Sequence, residues 1–587
     1  MIAPRLDWLL PEPFLDPPAF EGFGRPVATL LARRGFRDDT GLRAFLEAGA
    51  GALHDLSRMA DADRALDRID AAIAAGQTIA IWGDYDADGM SAIAVWVLAL
   101  RALDVEPVRH VPSRIADGYG LSAAGLDDLR RRGVDLVITC DCGVGNVAEV
   151  AHATSIGLDV IVTDHHLPGP VLPPAVAVVD PHRVDCRYPD PDLTGAGLAF
   201  KLAAALLARR GQSVSDLAAV ASIGTVSDLA PMTGESRAIV RMGLAELAVT
   251  ERAGLRALLA RAAEHPDAPT GRDLGFGIAP RINAAGRIAE AELAISLLVE
   301  EDPAAAERIA DELEAVHHRR REMTTAAVEE ARVLAAGSPG EGPLVIRGDG
   351  WAPGLIGLVA SRLVDTLGRP VAVAALVGTE VRGSVRAPGD FHVAAALEAT
   401  AAHLAKRGGH AGAGGFSVLP EAWEACVVAF SALPRPWPVR DDGVPAVPPG
   451  RLVVDLVLPA AHLGWDLAEE LERLAPYGPG HVEPMLAVTG LRLAEARRVG
   501  SGEQHLALRM RRGLEVIDAI AFGVGADAPL PEVGEAVDLV GTLERDTFQG
   551  LPRLRIRVLD YADGAASPLR ARRLAAAGPG VPAVAAT

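Results

Sequence analysis

The chain has 587 residues, 50% of them hydrophobic, with 57 basic and 77 acidic side chains. This length predicts three or four globular domains. The net charge of -20 excludes indiscriminate binding of polyanions over the whole surface, so any nucleic-acid site must be a local basic groove with marked salt sensitivity. The four cysteines form no disulfide framework and no zinc-knuckle spacing, and no apolar run is long enough to span a membrane. These features predict a cytoplasmic protein.

The stretch from Thr78 to Ala92 is the first with a chemical signature. Its apolar beginning, residues 78–82, predicts a buried strand, and three carboxylates follow at two-residue spacing: Asp84, Asp86 and Asp88. Ser91 is expected to cap the helix that comes next. A strand followed by a helix is half of a βαβ unit, and ligands of open α/β sheets bind at the carboxyl ends of the strands.

Three interpretations compete for these acids. A calcium-binding EF-hand loop is rejected, because the twelfth position counted from Asp84 is Val95 and not a glutamate. A solvated turn stays open, since Asp and Gly are common turn residues. A divalent-metal site is favoured, because crowded carboxylates repel one another unless a cation neutralises them, and their oxygens suit Mg²⁺ or Mn²⁺.

Two more predicted strands repeat this arrangement. Each is followed at once by acidic or imidazole side chains: residues 135–140 precede Asp141, and residues 158–163 precede Asp164, His165 and His166. In a right-handed parallel sheet these strand ends share one edge, so their side chains are expected to converge. Because they follow a strand directly, the adjacent histidines are expected to point to opposite sides, with one binding metal and the other orienting or contacting substrate.

Asp228 is a fourth candidate ligand. It lies at the end of a mostly apolar helix that begins near Ser215. An acid there is unfavourable for the helix dipole, and the charge of a metal would offset this cost.

The rest of the chain divides into segments of distinct composition. Periodicity from Ala304 to Ala336, with Asp302 as cap and Pro303 in the first turn, predicts one helix of about 50 Å between two domains. Its basic cluster, residues 317–321, is either a solvated face or flanks the path of a bound strand.

The predicted limits are 1–55 for an N-terminal extension, 56–300 for the first domain, 301–336 for the connecting helix, 337–433 for a second α/β domain, 434–450 for a Pro-rich linker, 451–562 for a β-barrel and 563–587 for a disordered tail.

Short alternating runs after Arg451 predict about five strands, for example at residues 452–456, 505–510 and 554–558. Such strands suit an OB-fold barrel, which binds single-stranded nucleic acid through a basic groove and stacked aromatic rings. The candidate stacking residues are Tyr477, Phe522 and Phe548, each of which is equally compatible with a place in the core.

Taken together, the acidic motifs resemble the DHH phosphoesterase superfamily and, within it, the family of single-strand-specific exonucleases. The motifs that carry the resemblance are GDYDADG (Gly83–Gly89), TCDCG (Thr139–Gly143), DHH (Asp164–His166) and GTVSD (Gly224–Asp228). Further segments are similar to the exonuclease family in particular, among them GYGL (Gly118–Leu121), APRINAAGR (Ala279–Arg287), GSVR (Gly383–Arg386) and GGHAGAGG (Gly408–Gly415). The resemblance covers roughly residues 50 to 560.

The resemblance implies an α/β fold with a parallel-sheet DHH domain, a smaller DHHA1-type domain joined by the long helix, and an OB-fold barrel. It implies two Mn²⁺ or Mg²⁺ ions held by Asp86, Asp88, Asp141, His165 and Asp228, with Asp84 and His166 completing the catalytic site. For substrate it implies a 5′-phosphate pocket of Arg114, Ser384 and Arg386, a channel lined by Arg281, Asn283 and Arg287, and a contact from His410.

The activity implied is stepwise release of 5′-mononucleotides from the 5′ end of single-stranded DNA, in recombination and repair. The implied partners are single-strand-binding protein, a RecQ-type helicase and mismatch-repair factors, and the chain is expected to act as a monomer.

Three other functions fit the sequence less well. A HAD-type phosphatase would need Thr or Val at Met90 or at Asp88, and would not need His165. A different DHH phosphodiesterase, acting on short oligoribonucleotides or cyclic dinucleotides, generally lacks the module that follows Arg451 here. A non-enzymatic binding relative would have lost metal ligands, all of which are present.

Overall fold

The computed structural model describes residues 2–14, 16–112, 118–337, 342–389, 391–433, 450–525, 529–546 and 552–569. The chain divides into two compact units: a smaller one of Met1–Glu47, Pro445–Ala475 and Val482–Thr587, and a larger one of Ala48–Val444 and Pro476–His481. The smaller unit begins with strand β1 (Asp7–Leu9) and helices α1 (Arg25–Arg33) and α2 (Asp39–Leu46). Among the described residues, no helix combines the length and the hydropathy that crossing a bilayer requires.

The larger unit starts with a parallel sheet. Its described strands are β2 (Ile79–Gly83), β3 (Val108–His110), β4 (Leu136–Cys140), β5 (Asp159–Thr163) and β6 (Ala177–Val179), in the order β3-β2-β4-β5-β6. The predicted strands at 78–82, 135–140 and 158–163 are confirmed as β2, β4 and β5. The two central strands, β2 and β4, are buried along their whole length, which explains their unbroken apolar sequences.

Helices pack on this sheet and on one another. They are α3 (Ala62–Ala74), α4 (Ala87–Arg101), α5 (Ala123–Arg131), α6 (Val147–Ser155), α7 (Gly195–Arg209), α8 (Leu217–Ser227), α9 (Gly234–Val249), α10 (Ala253–Ala262), α11 (Ala279–Ile288) and α12 (Glu292–Val299). The prediction that Ser91 caps α4 is wrong. The cap is Asp86, whose carboxylate accepts hydrogen bonds from the backbone N–H groups of Asp88 and Gly89, and Ser91 is buried inside the helix.

The long connecting helix is confirmed as α13 (Pro303–Ala336), whose 34 residues span about 50 Å at about 1.5 Å per residue. The Asp302 carboxylate accepts from the backbone N–H of Ala305, which is the predicted cap. The predicted basic cluster is not uniformly solvated. His317 is buried with its Nδ1 3.3 Å from the carbonyl oxygen of Pro280, whereas Arg319 and Arg321 are exposed.

The second domain of the larger unit is a mixed sheet with helices. Its elements are β7 (Leu344–Gly348), α14 (Ile356–Leu367), β8 (Val371–Val377), β9 (Glu380–Arg386), α15 (Val393–Ala399), β10 (Lys406–Gly409), β11 (Ala413–Val418) and α16 (Trp423–Ser431). The strand order is β10-β11-β9-β8-β7, with β7 and β8 parallel and the other pairs antiparallel.

The smaller unit is completed by a β-barrel. Its elements are β12 (Arg451–Val453), β13 (Leu456–Pro459), α17 (Trp465–Glu472), β14 (Leu486–Val499), β15 (His505–Arg512), β16 (Glu515–Ala521), β17 (Ala536–Asp546) and β18 (Arg553–Asp563). Pairing of β14 with β17 closes the described strands in the cycle β14-β15-β16-β18-β17, as in an OB fold.

Two expectations for this unit need correction. Residues 452–456, expected as one strand, are split between β12 and β13, because β12 pairs with β1 and β13 pairs with β14. The tail, expected to be disordered from Asp563, is packed as far as Leu569, which is fully buried in a cluster with Trp8 and Ala562. Residues 434–449 and 570–587 lie outside the described part of the chain.

Besides the pairing of β1 with β12, the carboxylate of Asp560 joins the N-terminal segment to the barrel. Asp560 on β18 is fully buried and accepts hydrogen bonds from the backbone N–H of Leu6 and the indole N–H of Trp8, each at 2.9 Å. Hydrogen bonds to a buried charge contribute about 1.5–3 kcal/mol each. The N-terminal segment is therefore part of the smaller unit and not a loose extension.

We expect Asp560→Ala to loosen this segment, although β1 still pairs with β12, because the Leu6 and Trp8 donors lose their acceptor. Hydrogen exchange should show protection lost at residues 5–9 and a destabilisation of about 2–4 kcal/mol. The matched control is Asp7→Ala, which removes an exposed ion pair with Arg451 and should change stability by less than about 1 kcal/mol. Unchanged protection in Asp560→Ala would contradict this assignment.

Candidate metal centre

The carboxyl ends of the central strands bring three acids to one edge of the parallel sheet. Asp84 follows β2, Asp141 follows β4 and Asp164 follows β5, and each of these side chains is buried. Asp141 adopts the left-handed backbone conformation, with φ of 62°, which is uncommon for a residue other than glycine and is concentrated at functional sites. The convergence expected from the parallel topology is present.

Asp88 is held by the start of a second helix. Its two oxygens accept hydrogen bonds from the backbone N–H groups of Gly195 at 2.7 Å and Ala196 at 3.0 Å, at the N-terminus of α7. The partial positive charge of a helix N-terminus favours an anion at this point. A Cβ atom at Gly224 would lie 2.5 Å from Asp88 Oδ1, so α8 can pack this closely against the Asp88 side chain only with a glycine at this position.

The imidazole of His165 lies among three carboxylates. Its Nε2 is 2.9 Å from Asp141 Oδ1, and 3.8 Å from both Asp88 Oδ2 and Asp228 Oδ2. Asp228 follows the last residue of α8, as predicted. Three groups have their ligand atoms within 4.8 Å of one another: Asp88 with His165 and Asp228, Asp84 with Asp86 and Asp141, and Asp141 with His165 and His166.

The His166 side chain is held by hydrogen bonds to Asp164 and Tyr119. Its Nδ1 lies 2.7 Å from Asp164 Oδ1 and 3.0 Å from the hydroxyl of Tyr119, which also donates to the carbonyl oxygen of Asp141. The expectation that His165 and His166 point to opposite sides is wrong, because their ring centroids are 4.6 Å apart. The strand ends at Thr163, and the backbone N–H groups of both histidines turn towards the Asp164 carboxylate, so strand alternation no longer applies.

Burial and mutual repulsion shift the titration of this cluster. Burial and the neighbouring Asp86 raise the pKa of Asp88 to about 7, and burial and Asp88 raise the pKa of Asp228 to about 8. The pKa of Asp141 is raised well above its usual value by burial and then by the charge of Asp88. Burial lowers the pKa of His165 to about 4, which leaves a neutral imidazole able to ligate at neutral pH.

This donor set fits a hard divalent cation. Carboxylate oxygens with one or two imidazole nitrogens suit Mn²⁺ or Mg²⁺, whereas a thiolate site would suit softer metals. Cys140 and Cys142 are buried beside Asp141, where burial raises the pKa of both thiols, so neither is a thiolate ligand. A cation would offset the repulsion that holds the carboxyl pKa values high.

Comparison with known proteins identifies the family. Residues 78–225 match the DHH family, N-terminal domain, residues 340–432 the DHHA1 domain, and residues 454–560 the RecJ OB domain. The chain is 32% identical to the single-stranded-DNA-specific exonuclease RecJ of Escherichia coli (strain K12), with 90% of this chain and 94% of that protein covered. The chain belongs to the RecJ family. The RecJ of Bacillus subtilis (strain 168) is also 32% identical, over 91% of this chain and 68% of its own length.

Solved RecJ structures agree with this assignment. A crystal structure of RecJ in complex with Mn²⁺ from Thermus thermophilus superposes with a TM-score of 0.77 and 31% identity, covering 95% of this chain and 80% of that one. A second structure of that protein, in complex with Mg²⁺, gives a TM-score of 0.71 at 28% identity, covering 95% and 78%. The predicted fold, a DHH domain followed by a DHHA1 domain and an OB-fold barrel, is confirmed.

Not all residues expected to line the substrate channel of a RecJ-family enzyme face the carboxylates. The guanidinium of Arg281 forms an ion pair with Glu314 on α13 at 2.6 Å, so the structure places it in a helix–helix contact. Arg287 donates to the carbonyl oxygen of Gly354 and lines a cleft of about 960 Å³, which is also lined by Tyr85, the residue between Asp84 and Asp86.

Asn283, also predicted to line the channel, forms hydrogen bonds within the protein. Its Oδ1 accepts from the backbone N–H of Ala87 at 3.0 Å, and its Nδ2 donates to the hydroxyl of Ser227 at 3.1 Å. These two residues directly adjoin Asp86 and Asp228. Asn283 therefore links two segments that carry candidate metal ligands, and its side chain positions them.

The second domain contains the other predicted substrate residues. Arg386 on β9 donates to the hydroxyl of Ser384 at 2.9 Å and to the carbonyl oxygen of Val385 at 2.8 Å, so its guanidinium is held in place. A Cβ at Gly357 would approach Arg386 and Ser384 to 3.1 and 3.2 Å, so the glycine leaves the space beside them open. His410 follows β10 and is exposed. Arg114 lies outside the described residues.

The candidate stacking residues are in different surroundings. Phe522 is 48% exposed at the end of β16, with the guanidinium of Arg557 5.9 Å from its ring centroid and His505 against its edge at 5.2 Å. Tyr477 is half-buried and stacked on His481, with centroids 5.1 Å apart. Phe548 lies outside the described residues.

Two residues near the candidate ligands have no role that the sequence alone predicts. Tyr119, in the GYGL segment, holds His166 and the Asp141 carbonyl through its hydroxyl. Asp180 follows β6 as the other acids follow their strands, and burial raises its pKa to about 7. In the sequence, Asp180 shows the same pattern as Asp141, an acid directly after an apolar run. No local pattern marks Tyr119, because its hydroxyl contacts residues far away in the chain.

The raised pKa values predict how metal and pH act together. The protonated Asp88 and Asp228 carboxyls contribute stability that is full below their ordinary pKa of 3.8 and is lost as pH rises through about 7 to 8. A cation replaces these protons, so Mn²⁺ should bind more tightly by up to about tenfold per pH unit for each proton released.

Thermal melting with and without Mn²⁺ should therefore show a larger stabilisation at about pH 8.5 than at about pH 6. Asp141→Asn should lose most of this shift, whereas the control Asp159→Asn, at the opposite end of β5, should keep it. An Mn²⁺ shift of the same size at both pH values would show that protons and metal do not compete here.

Proposed function

We propose that this chain is a single-stranded-DNA-specific exonuclease that hydrolyses phosphodiester bonds in the 5′→3′ direction and releases 5′-mononucleotides. The observation that carries the proposal is the convergence of Asp88, Asp141, Asp228 and His165 at one sheet edge in a chain of the RecJ family. Divalent ions at such a site supply a polarised phosphate and an activated water.

The proposed ligands are Asp86, Asp88, Asp141, His165 and Asp228, for two Mn²⁺ or Mg²⁺ ions. The chain's own groups have distinct tasks. The α7 amides orient the Asp88 carboxylate, and the Asp141 carboxylate belongs to two of the three groups, with Asp84 and Asp86 and with His165 and His166, so it would contribute to holding the ions. Burial lowers the pKa of His166, but its hydrogen bond to Asp164 outweighs this and raises it to about 9, so His166 is a cation suited to contact a phosphate.

We assign the direction of digestion to a 5′-phosphate pocket formed by Ser384 and Arg386, with Arg114 as a third member. Support comes from the fixed guanidinium of Arg386 and from the open space that Gly357 leaves beside it. A guanidinium and a hydroxyl offer charge-assisted hydrogen bonds to a terminal phosphate dianion. Phe522, with Arg557 beside its ring, is proposed as the base-stacking position of the barrel.

We propose action in the cytosol as a monomer, with single-strand-binding protein, a RecQ-type helicase and mismatch-repair factors as partners in repair and recombination. The four free cysteines are compatible with a reducing compartment. The alternative, cleavage of short oligoribonucleotides or cyclic dinucleotides, is not favoured, because the matched relatives are single-stranded-DNA-specific exonucleases.

A cleavage assay tests the activity directly. A 5′-labelled single-stranded oligonucleotide with Mn²⁺ should release labelled mononucleotide first, while duplex DNA, RNA and cyclic dinucleotides should be poor substrates. Asp141→Ala should reduce the rate by about 10²–10³-fold, because several kcal/mol of charge stabilisation are lost, and should leave DNA binding measurable.

The matched control for Asp141→Ala is Asp159→Asn, an acid at the amino end of β5 that pairs with Arg68 and should keep normal activity. Retained cleavage in Asp141→Ala would refute the metal role. Preferential cleavage of cyclic dinucleotides by the unmodified chain would favour the alternative.

The phosphate pocket is tested by comparing DNA ends. Arg386→Gln should raise KM for 5′-phosphorylated strands by about 10–100-fold, the value of one or two charge-assisted hydrogen bonds, and affect 5′-hydroxyl strands much less. The control is Arg407→Gln on β10, which removes an exposed ion pair with Glu398. An equal change for both kinds of end would assign Arg386 to another part of the substrate.

A further inference from the structure

The arginines on and around the connecting helix α13 are of two kinds. Towards its N-terminal half, arginines of neighbouring helices meet its carboxylates, as Arg261 does with Glu307 at 2.7 Å and Asp311 at 2.6 Å. Further along, the helix carries Arg319, Arg320 and Arg321 in succession, and α14 carries Arg362. Within the described residues, these four arginines have no carboxylate partner within 4.0 Å.

Arg320 is the most informative of the four. It is half-buried, and its Nε is inaccessible to solvent and has no hydrogen-bond partner in the described part of the chain. Its Nη2 lies 3.5 Å from the Nδ1 of His317. Burial lowers the pKa of His317 to about 4, and so do the charges of Arg281 and Arg320, so this imidazole is neutral. Burial, Arg321 and Arg362 likewise lower the pKa of Arg320.

A half-buried guanidinium among other cations is unfavourable for the folded chain, because desolvation is not offset by an opposite charge. The chain has 20 more acidic than basic side chains, so it contains enough carboxylates to pair with every guanidinium group. Among the described residues, no carboxylate lies within 4.0 Å of these four guanidinium groups, which favours an external anion as their partner.

The position of the four arginines indicates which anion. Arg319 lines the cleft of about 960 Å³ that also contains Tyr85, whose neighbours are Asp84 and Asp86. Arg362 lies on the same helix as Gly357, which adjoins Arg386 and Ser384. Arg319 thus lies in the same cleft as the acidic loop, and Arg362 lies on the helix that adjoins the proposed phosphate pocket.

We propose that Arg319, Arg320, Arg321 and Arg362 form a binding site for internal phosphodiester groups of single-stranded DNA, beyond the nucleotide held at the carboxylates. This assignment rests on the proposed function and adds a role for α13 as part of the DNA-binding surface. Guanidinium groups bind phosphate oxygens without reading sequence, so the site serves strands of any sequence. It should matter for long strands and be out of reach of a dinucleotide.

The test uses the full chain with two substrates, a long single strand and a 5′-phosphorylated dinucleotide. In the double variant Arg320→Gln/Arg362→Gln, the ratio of kcat/KM for the long strand to that for the dinucleotide should fall by about tenfold. The slope of log K against log salt for binding of the long strand should decrease by about 0.7 for each phosphate contact removed.

Because Arg320 is half-buried, a second double variant, Arg319→Gln/Arg321→Gln, changes exposed side chains only and carries the same expectation. The matched controls are Arg308→Gln and Arg332→Gln on the same helix. Arg308 donates to the carbonyl oxygen of Ala304, and Arg332 pairs with Glu329, so neither substitution should alter the ratio or the slope.

An unchanged ratio and slope in both double variants, with melting temperatures like that of the unmodified chain, would overturn the proposal and assign these arginines to another anionic partner. An equal loss on both substrates would overturn it too, since the arginines would then act on the terminal nucleotide. Failure of the unmodified chain to bind or cleave the long strand would instead refute the proposed function itself.

Discussion

Electrostatic repulsion among buried carboxylates is the constraint on which this structure depends. Asp88, Asp141 and Asp228 all lie within 4 Å of the His165 imidazole, where burial and mutual repulsion raise the pKa of each carboxyl. A fold would normally avoid this arrangement, because each added charge makes the next more costly. Here the cost is offset by helix amides in the protein and, when bound, by divalent cations.

The surrounding fold brings backbone segments close enough to make this cluster. A Cβ atom at Gly286 would lie 1.7 Å from the carbonyl oxygen of Tyr85, so α11 can pack on the acidic loop only with a glycine there. From the same helix, Asn283 bonds to the backbone next to Asp86 and to the side chain next to Asp228. Residues far apart in the chain thus form one rigid support for the candidate ligands.

Charge is segregated along the path expected for DNA. The chain as a whole is acidic, and the candidate metal centre is strongly so, yet Arg319 lines the cleft that also contains Tyr85, and Arg386 lies beside Ser384 in the proposed phosphate pocket. A polyanion would be repelled by most of the molecule and attracted locally, which favours a defined path over indiscriminate binding. Contacts to phosphates carry no sequence information, as a nuclease acting on any sequence requires.

The sequence by itself determined the strands that end in acids, the ligand candidates Asp141 and His165, the cap and length of α13, and the order of the domains. These features are local, because hydrophobic periodicity and capping residues act over a few positions. Tertiary structure alone decided that Arg281 pairs with Glu314, that Asn283 supports ligands, and that Tyr119 holds His166. Such contacts join segments far apart in the chain, and a side chain's partner is set by packing that no local pattern encodes.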